Sequence, residues 1–179
     1  MPMIRLTTPT GALTEAGRDS VRRELAEVLL RWEGAPDTAF FRAQAWSYLV
    51  ELPEGAQRTA EDDVPRFLVE VTVPQGALSE RRKAGLVEEA TRTVLSAAGL
   101  TPDDALRVWV LVNEQPDGTW GAGGAVIRHA DLAALAKGQR TAASTDLRRQ
   151  AHRRVARGAR PEAAVRRRGD RGTRRRHPL

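Results

Sequence analysis

The chain of 179 residues contains no cysteine and only three histidines, and both shortages exclude several kinds of site. Without cysteine there is no disulfide framework, no thiol nucleophile and no cysteine-ligated zinc. The histidines (His129, His152 and His177) are scattered, and two of them lie in a polar C-terminal segment. This distribution does not suggest a metal centre. We therefore predict that the protein uses no metal and no other cofactor.

Long apolar runs are also missing. No stretch approaches the ~20 residues needed to cross a bilayer, and the sequence does not start with a basic region followed by an apolar one. Because 41% of the residues are hydrophobic, the chain can still bury a core. We expect a soluble cytoplasmic protein with no membrane partner.

The net charge of +6 is unevenly distributed along the chain. Residues 1–136 carry 14 basic and 20 acidic side chains (net −6), whereas residues 137–179 carry 15 basic and 3 acidic ones (net +12). The second segment has almost nothing to bury, which predicts a disordered basic tail. Binding of nucleic acid through this tail is one alternative. An extension without that role is favoured, because no aromatic residue is interleaved for base stacking.

Residues 1–136 contain an internal repeat. The segment from Thr8 to Glu15 (TPTGALTE) matches the segment from Val73 to Glu80 (VPQGALSE) at an offset of 65 residues. A second match, at an offset of 63, aligns Trp46 to Gly55 with Trp109 to Gly118. Two matched blocks at nearly the same spacing indicate a duplication, with repeats at about 2–55 and 66–124.

Each repeat is predicted to form a strand, a helix and a second strand. Strands are expected at Met3 to Thr8, Phe41 to Leu52, Phe67 to Val73 and Arg107 to Asn113. Helices are expected from the N-cap Thr14 to Gly34 and from the N-cap Ser79 to about Ala98. A helix that joins two strands by a right-handed crossover makes them parallel.

The predicted fold class is therefore α/β, with two tandem βαβ repeats that form one four-stranded sheet. Both helices lie on the same face of this sheet. The other face has no cover within the chain, and an exposed apolar sheet face predicts association between subunits.

This pattern, with Pro2 as the second residue, resembles the tautomerase superfamily, and in particular 4-oxalocrotonate tautomerase-like members with two fused repeats. The resemblance covers about Pro2 to Ala136. It rests on the start Met-Pro-Met-Ile, on the two Pro-x-Gly-Ala-Leu-[Thr/Ser]-Glu turns, and on the stretch from Glu114 to Gly124. It implies a catalytic amino-terminal proline, a homotrimer, and a hairpin that closes the active site.

The chemistry of Pro2 depends on its nitrogen. While Met1 precedes it, that nitrogen is an amide; removal of Met1 leaves a secondary amine. Burial or a nearby cation lowers the pKa of such an amine and makes it a base near neutral pH. It can then take a proton from a carbon next to a carbonyl group and return it elsewhere. The repeat places Phe67 at the equivalent position, so we expect one such site per chain.

Substrate-binding residues are harder to assign. In short family members an arginine follows the turn glycine and holds the substrate carboxylate, but Ala12 and Ala77 stand there in this chain. Arg107 is the candidate carboxylate partner, with Arg42 as a further one. Trp109 and Trp120 are predicted to form walls of the substrate pocket. Arg82 and Lys83 are expected to face solvent.

The function predicted on this basis is a tautomerase, an isomerase that acts on a small carbonyl compound carrying a carboxylate. A hydratase-type dehalogenase is the enzymatic alternative. It requires a water-activating carboxylate near Pro2, and the sequence does not identify one. A non-catalytic binding protein of the same fold, associated with nucleic acid through its tail, is the alternative from another class.

Overall fold

A computed structural model describes residues 2–138 of the chain. The elements in chain order are β1 (Met3–Pro9), α1 (Glu15–Glu33), α2 (Ala39–Gln44), β2 (Trp46–Leu52), β3 (Phe67–Pro74), α3 (Glu80–Ala97), a 3-10 helix (Pro102–Arg107), β4 (Val108–Gln115), β5 (Trp120–Ala122) and β6 (Ala125–Ile127). Helical residues 129–138 follow and are called α4.

The sheet has the strand order β2-β1-β3-β4. Within each repeat the two strands are parallel, and the repeats meet through antiparallel pairing of β1 with β3. Met3, at the start of β1, lies opposite Trp46 on one side and Thr72 on the other. The end of β3 therefore lies beside the beginning of β1. The predicted α/β architecture of two βαβ units is confirmed.

Both long helices begin and end where their sequence signals predict. The Thr14 side chain accepts a hydrogen bond from the backbone N of Gly17 (3.0 Å), and Ser79 caps α3 in the same way through Arg82 (3.4 Å). Each bond satisfies a backbone N–H that has no partner inside the helix. Gly34 ends α1 in the left-handed conformation (φ 71°), which glycine adopts without a Cβ penalty.

The core lies between the two helices and one face of the sheet. Alternate residues of the central strands point into it: Ile4, Leu6 and Thr8 from β1, and Phe67, Val69, Val71 and Val73 from β3. Buried residues at helical spacing face them: Val21, Leu25, Val28 and Leu29 from α1, and Leu86, Ala90 and Val94 from α3. The burial of these apolar side chains, at about 25 cal/mol per Å², is the main stabilising contribution.

The opposite face of the sheet has no cover within residues 2–138, as predicted. Its edge strands expose large apolar side chains: Trp46, Tyr48 and Val50 on β2, and Trp109 and Leu111 on β4. An ion pair between Arg5 and Glu70 (2.8 Å) lies between them on the central strands. An apolar face of this kind is typical of a surface that a second subunit covers.

Two predicted strands start later than expected. Residues 41–45 are not part of β2, because Ala39–Gln44 forms the short helix α2, whose N-cap Thr38 accepts a hydrogen bond from the N of Phe41 (3.4 Å). The strand predicted from Arg107 begins at Val108, since the preceding residues form the 3-10 helix. In both places a local turn with its own cap replaces the extended backbone that the apolar side chains suggested.

The domain boundary at 136 and the basic tail at 137–179 remain predictions, since nearly all of the tail lies outside the described residues. Among residues 2–138, no helix has both the length and the apolar character that crossing a membrane would require.

Candidate active site

Pro2 lies buried immediately before β1. Its carbonyl oxygen accepts a hydrogen bond from the N of Trp46 (3.3 Å), which extends the pairing of β1 with β2 by one step. Proline suits this position because its ring restricts φ to an extended-compatible value. The sheet therefore holds Pro2 in a fixed orientation at the end of a central strand.

A cavity of about 370 Å³ opens at the end of the sheet where β1 begins. It is lined by the end of α1, the turn after β3, the buried Phe41 of α2, Arg82 of α3 and one side of α4. Pro74, in its wall, lies two residues beyond Thr72, the partner of Met3. The strand register thus places this cavity close to Pro2, which is not itself among the lining residues.

Glu33, the last residue of α1, brings a carboxyl group into this cavity. Burial raises its pKa above the usual glutamate value, while the positive charges of the chain's amino terminus and of Arg82 act in the opposite direction. No group within residues 2–138 donates a hydrogen bond to the carboxylate. Glu33 is thus a half-buried carboxyl group kept closer to its neutral form.

Arg82 lies across the end of α1. Its Nη1 donates a hydrogen bond to the carbonyl oxygen of Glu33 (3.1 Å), and its guanidinium covers Gly34. A Cβ at Gly34 would lie 2.8 Å from Nη2 of Arg82, so the glycine leaves room for the guanidinium as well as ending the helix. Arg82 is exposed to solvent as predicted, but its charged head also lines the cavity.

Lys83 does not face solvent freely as expected. Its Nζ contacts Glu80 (3.0 Å) and Glu114 (3.2 Å), and these hydrogen bonds raise its pKa. Glu114 also accepts a hydrogen bond from the N of Gly76 (3.2 Å), and this bond, with that of Lys83, lowers the pKa of its carboxyl. The pair fixes the turn after β3 against the end of β4.

Helix α4 covers one side of the cavity. The residues of α4 that line it recur at helical spacing: His129, Leu132, Ala133 and Ala136. The start of this helix is tied to the turn after β4, because the N of His129 donates to the Asp117 carboxylate (2.8 Å) and Arg128 pairs with the same side chain (3.6 Å). This helix was not predicted, although the apolar spacing at 132, 133 and 136 is a usable signal of a helix.

The structure places the predicted substrate-binding residues away from this cavity within one chain. Arg107 precedes β4 at the opposite end of the sheet, where it donates to the carbonyl of Pro65 (3.1 Å) and to Asp104 (3.0 Å). Trp109 lies on the uncovered face with 68% of its surface exposed. Neither residue lines the cavity within one chain.

Arg42 and Trp120 are also outside the cavity lining. Arg42, on α2, forms an ion pair with Asp37. Trp120 lies half-buried in the hairpin of β5 and β6, where it pairs with Ile127. The hairpin itself is where the sequence predicts it. Glu33 and Arg82 were not predicted to line the cavity, because nothing in the local sequence distinguishes them from ordinary charged residues at helix ends.

Comparison with known proteins gives a family match that falls mainly within the second repeat. Residues 68–130 match the family described as tautomerase enzymes. This segment covers β3 to the start of α4, including the hairpin. A search of curated proteins gave no match. The resemblance to the tautomerase superfamily that the sequence suggested is thereby confirmed.

Solved structures show the same fold over most of the described chain. Pt0534, crystallised after inactivation by 2-oxo-3-pentynoate, is 21% identical with a TM-score of 0.60, over 69% of this chain and 95% of its own. A fused 4-OT that forms an asymmetric trimer (F6) is 17% identical with a TM-score of 0.59, over 69% and 94%. N1, of the cis-3-chloroacrylic acid dehalogenase family, is 21% identical with a TM-score of 0.57, over 70% and 82%.

Proposed function

Because the chain carries a tautomerase domain with the fold of fused two-repeat members, we propose that it is a cofactor-independent isomerase. Pro2, freed by removal of Met1, is the general base for enol–keto conversion of a small carbonyl compound. The observation that carries this proposal is the position of Pro2. It is buried at the start of a central strand, at the end of the sheet where the cavity opens.

The surroundings of Pro2 favour a neutral amine. Burial disfavours the ammonium form, and so does the guanidinium of Arg82 in the adjoining cavity. An ionised Glu33 has the opposite effect, but burial keeps the pKa of Glu33 raised. At about 370 Å³ the cavity falls in the size range of small-molecule sites.

We assign the substrate carboxylate to Arg82. It replaces the turn arginines that are missing at Ala12 and Ala77, because its long side chain turns back from the first turn of α3 to the cavity. The guanidinium uses one hydrogen bond on a backbone carbonyl, and its remaining N–H groups can hold a carboxylate.

The remaining predicted residues take part only if subunits associate. We propose a homotrimer, in line with the fused 4-OT structures that are described as trimers and with the uncovered apolar face of this sheet. In it, Arg107, Trp109, Trp120 and Arg42 would complete the site of a neighbouring subunit. Arg107 would then have to exchange its bond to Asp104 for one to substrate.

Hydration with dehalogenation is the second candidate, and Glu33 is the observation that favours it. The cavity holds a carboxyl group beside Pro2 that could activate water, and one similar structure belongs to the cis-3-chloroacrylic acid dehalogenase family. Activation of water needs the ionised form, which the raised pKa of Glu33 disfavours near neutral pH. Release of chloride from 3-chloroacrylate, without ketonisation of enol acids, would support this candidate over the first.

The test is ultraviolet-monitored ketonisation of phenylenolpyruvate by protein whose intact mass shows that Met1 has been removed. Pro2→Ala should lower kcat/KM by about 10²- to 10⁴-fold, the usual contribution of a positioned base. Pro53→Ala, at an exposed turn proline, is the matched control and should have no effect.

A second measurement tests the amine without requiring turnover. 2-Oxo-3-pentynoate should add one reagent mass to the wild type at Pro2 and leave Pro2→Ala unlabelled. Turnover that does not depend on Pro2 would contradict the mechanism. An absence of turnover and labelling together would favour a binding protein of the same fold.

A further inference from the structure

Glu33 is the one carboxyl group in the described residues whose pKa is clearly raised, and the proposed proline mechanism does not use it. It lies at the end of α1, in the wall of the cavity that adjoins Pro2. Its backbone carbonyl is bound by Arg82, and this bond fixes the helix end from which its side chain extends.

Glu33 shares its cavity with Arg82 of α3 and His129 of α4. The positive charges of the amino terminus and of Arg82 favour its ionised form. Glu114, near the turn after β3, is paired with Lys83 (3.2 Å). None of these groups hydrogen-bonds the Glu33 carboxylate within residues 2–138. As far as the described residues go, its oxygens are open to a bound molecule.

We propose that Glu33 is a second catalytic residue, the acid–base partner of Pro2 that exchanges a proton with the substrate oxygen. This inference rests on the proposed function. With Pro2 as the only base, one group must exchange protons with both the carbon and the oxygen of the substrate. With Glu33 as its partner, Pro2 acts on the carbon and Glu33 on the oxygen.

The proton balance closes without any other reagent. In enolisation, the neutral Pro2 nitrogen takes the proton from the carbon next to the carbonyl. The C–H electron pair forms the C=C bond, the carbonyl π pair moves to oxygen, and the Glu33 carboxyl gives its proton to that oxygen. Pro2 ends as the ammonium form and Glu33 as the carboxylate. Ketonisation reverses these steps, and transfer of one proton between the two groups resets the site.

Ketonisation starts from the form of the site in which Pro2 carries the proton and Glu33 is ionised, and transfer of the shared proton from Glu33 to Pro2 produces this form from the neutral pair. Activity should therefore fall at low pH, as both groups become protonated, and at high pH, as both lose their protons. The experiment is the pH dependence of phenylenolpyruvate ketonisation by wild type, Glu33→Gln, Pro2→Ala and the control Glu27→Gln, which alters an exposed glutamate of the same helix. Glu33→Gln should lower kcat by about 100-fold or more, and the low-pH limb of its profile should disappear. Glu27→Gln should match the wild type.

The rate at which 2-oxo-3-pentynoate labels Pro2 distinguishes a catalytic role of Glu33 from a role in positioning Pro2. If Glu33 acts on the substrate oxygen, Glu33→Gln should keep a labelling rate close to that of the wild type. Loss of labelling along with turnover would overturn the inference and make Glu33 a residue that positions Pro2. An unchanged kcat and low-pH limb in Glu33→Gln, with Pro2→Ala inactive, would overturn the inference alone. An inactive wild type, or a fully active Pro2→Ala, would overturn it together with the proposed function.

Discussion

The two repeats place equivalent residues at opposite ends of the helix pair, and these two ends have become chemically different. At the offset of 65 residues, Gly34 corresponds to Gly99, and both have a positive φ (71° and 64°). The helix caps Thr14 and Ser79 also correspond, and so do the buried positions along both helices. The framework of the duplication is therefore conserved in detail.

The chemistry differs at three equivalent positions. The end beside the cavity has Pro2, Glu33 and Arg82, whereas the other end has Phe67, Ala98 and Gly17 in their places. Phe67 is 2% exposed and fills the core, and a Cβ on Gly17 would lie 2.4 Å from the carbonyl oxygen of Ala97. One end is thus packed for stability, while the other keeps ionisable groups around a cavity.

The largest expected effect comes from Phe67→Ala, at the packed end. Removing this buried ring should lower the free energy of unfolding by about 3–5 kcal/mol, because it leaves a cavity in the core. The equivalent change, Pro2→Ala, should lower kcat/KM by about 10²- to 10⁴-fold and reduce stability much less than Phe67→Ala does. Chemical denaturation of both variants measures this contrast, and equal losses of stability would contradict it.

Trp46 and Trp109 occupy equivalent positions in the two repeats, and both lie on the uncovered sheet face. Substituting them tests whether the two repeats contribute equally to subunit association. Replacing either by alanine should weaken the proposed trimer by about 2 kcal/mol per contact, as for a central interface tryptophan. Sedimentation velocity over a range of protein concentrations measures the shift. Leu106→Ala, an exposed residue outside that face, is the control. A monomeric wild type would contradict the prediction.

Arg82→Ala removes the cation at the open end. We expect KM for an enol acid to rise about 10- to 100-fold, the value of a hydrogen bond to a charged group, with a smaller change in kcat. Arg81→Ala, the exposed neighbour on α3, should behave like the wild type. With an enol substrate that lacks a carboxylate, Arg82→Ala should have the same KM as the wild type. An equal rise in KM on that substrate would argue against a role of Arg82 in carboxylate binding.

Gly17→Ala tests the close helix contact at the packed end. The new Cβ meets backbone rather than a flexible side chain, so the helices must move apart, at a cost of about 1–3 kcal/mol. Thermal unfolding measures the loss. Ketonisation activity should persist in the folded variant, because the change lies at the end of the helices away from Pro2.

The smallest expected effect concerns stability and pH at Glu33. Its raised pKa means that the folded chain binds this proton more tightly than the unfolded chain does. The contribution of Glu33 to stability therefore falls as pH rises from the ordinary glutamate pKa to the raised value. Glu33→Gln should increase the Tm above that interval and have little effect below it. A melting temperature that rises equally at both pH values would indicate another cause.

Much of the fold was predictable because its signals are local. The caps Thr14 and Ser79, the terminating Gly34 and the apolar spacing of α1 and α3 mark the helices within a few residues. The short helix α2 was missed because its apolar residues also suit a strand, and only burial of Phe41 and the cap at Thr38 decide between them. Helix α4 was missed because its apolar face is short.

The site was predictable only in part. Pro2 was identified from its place in the chain and from the repeat. Arg107 was chosen for its strand, yet its side chain is engaged with Asp104 and the Pro65 carbonyl at the other end of the sheet. The position of a residue along its strand does not reveal at which end of the sheet the residue lies. The antiparallel pairing of β1 with β3 decides this, and it places the start of the second repeat's strands at the end away from the start of β1.

The sequence by itself determined the duplication, the βαβ units and the difference between Pro2 and Phe67, since each of these follows from residue identity and short-range periodicity. Only the tertiary structure decided that Glu33 and Arg82 share a cavity beside Pro2. These residues are separated by tens of positions, and they meet because α1 runs back to the start of β1 while α3 starts beside the end of α1. The physical reason is that the burial and the electrostatic environment of a side chain depend on which ends of helices and strands lie close together. The packing of the helices on the paired sheet determines which ends these are.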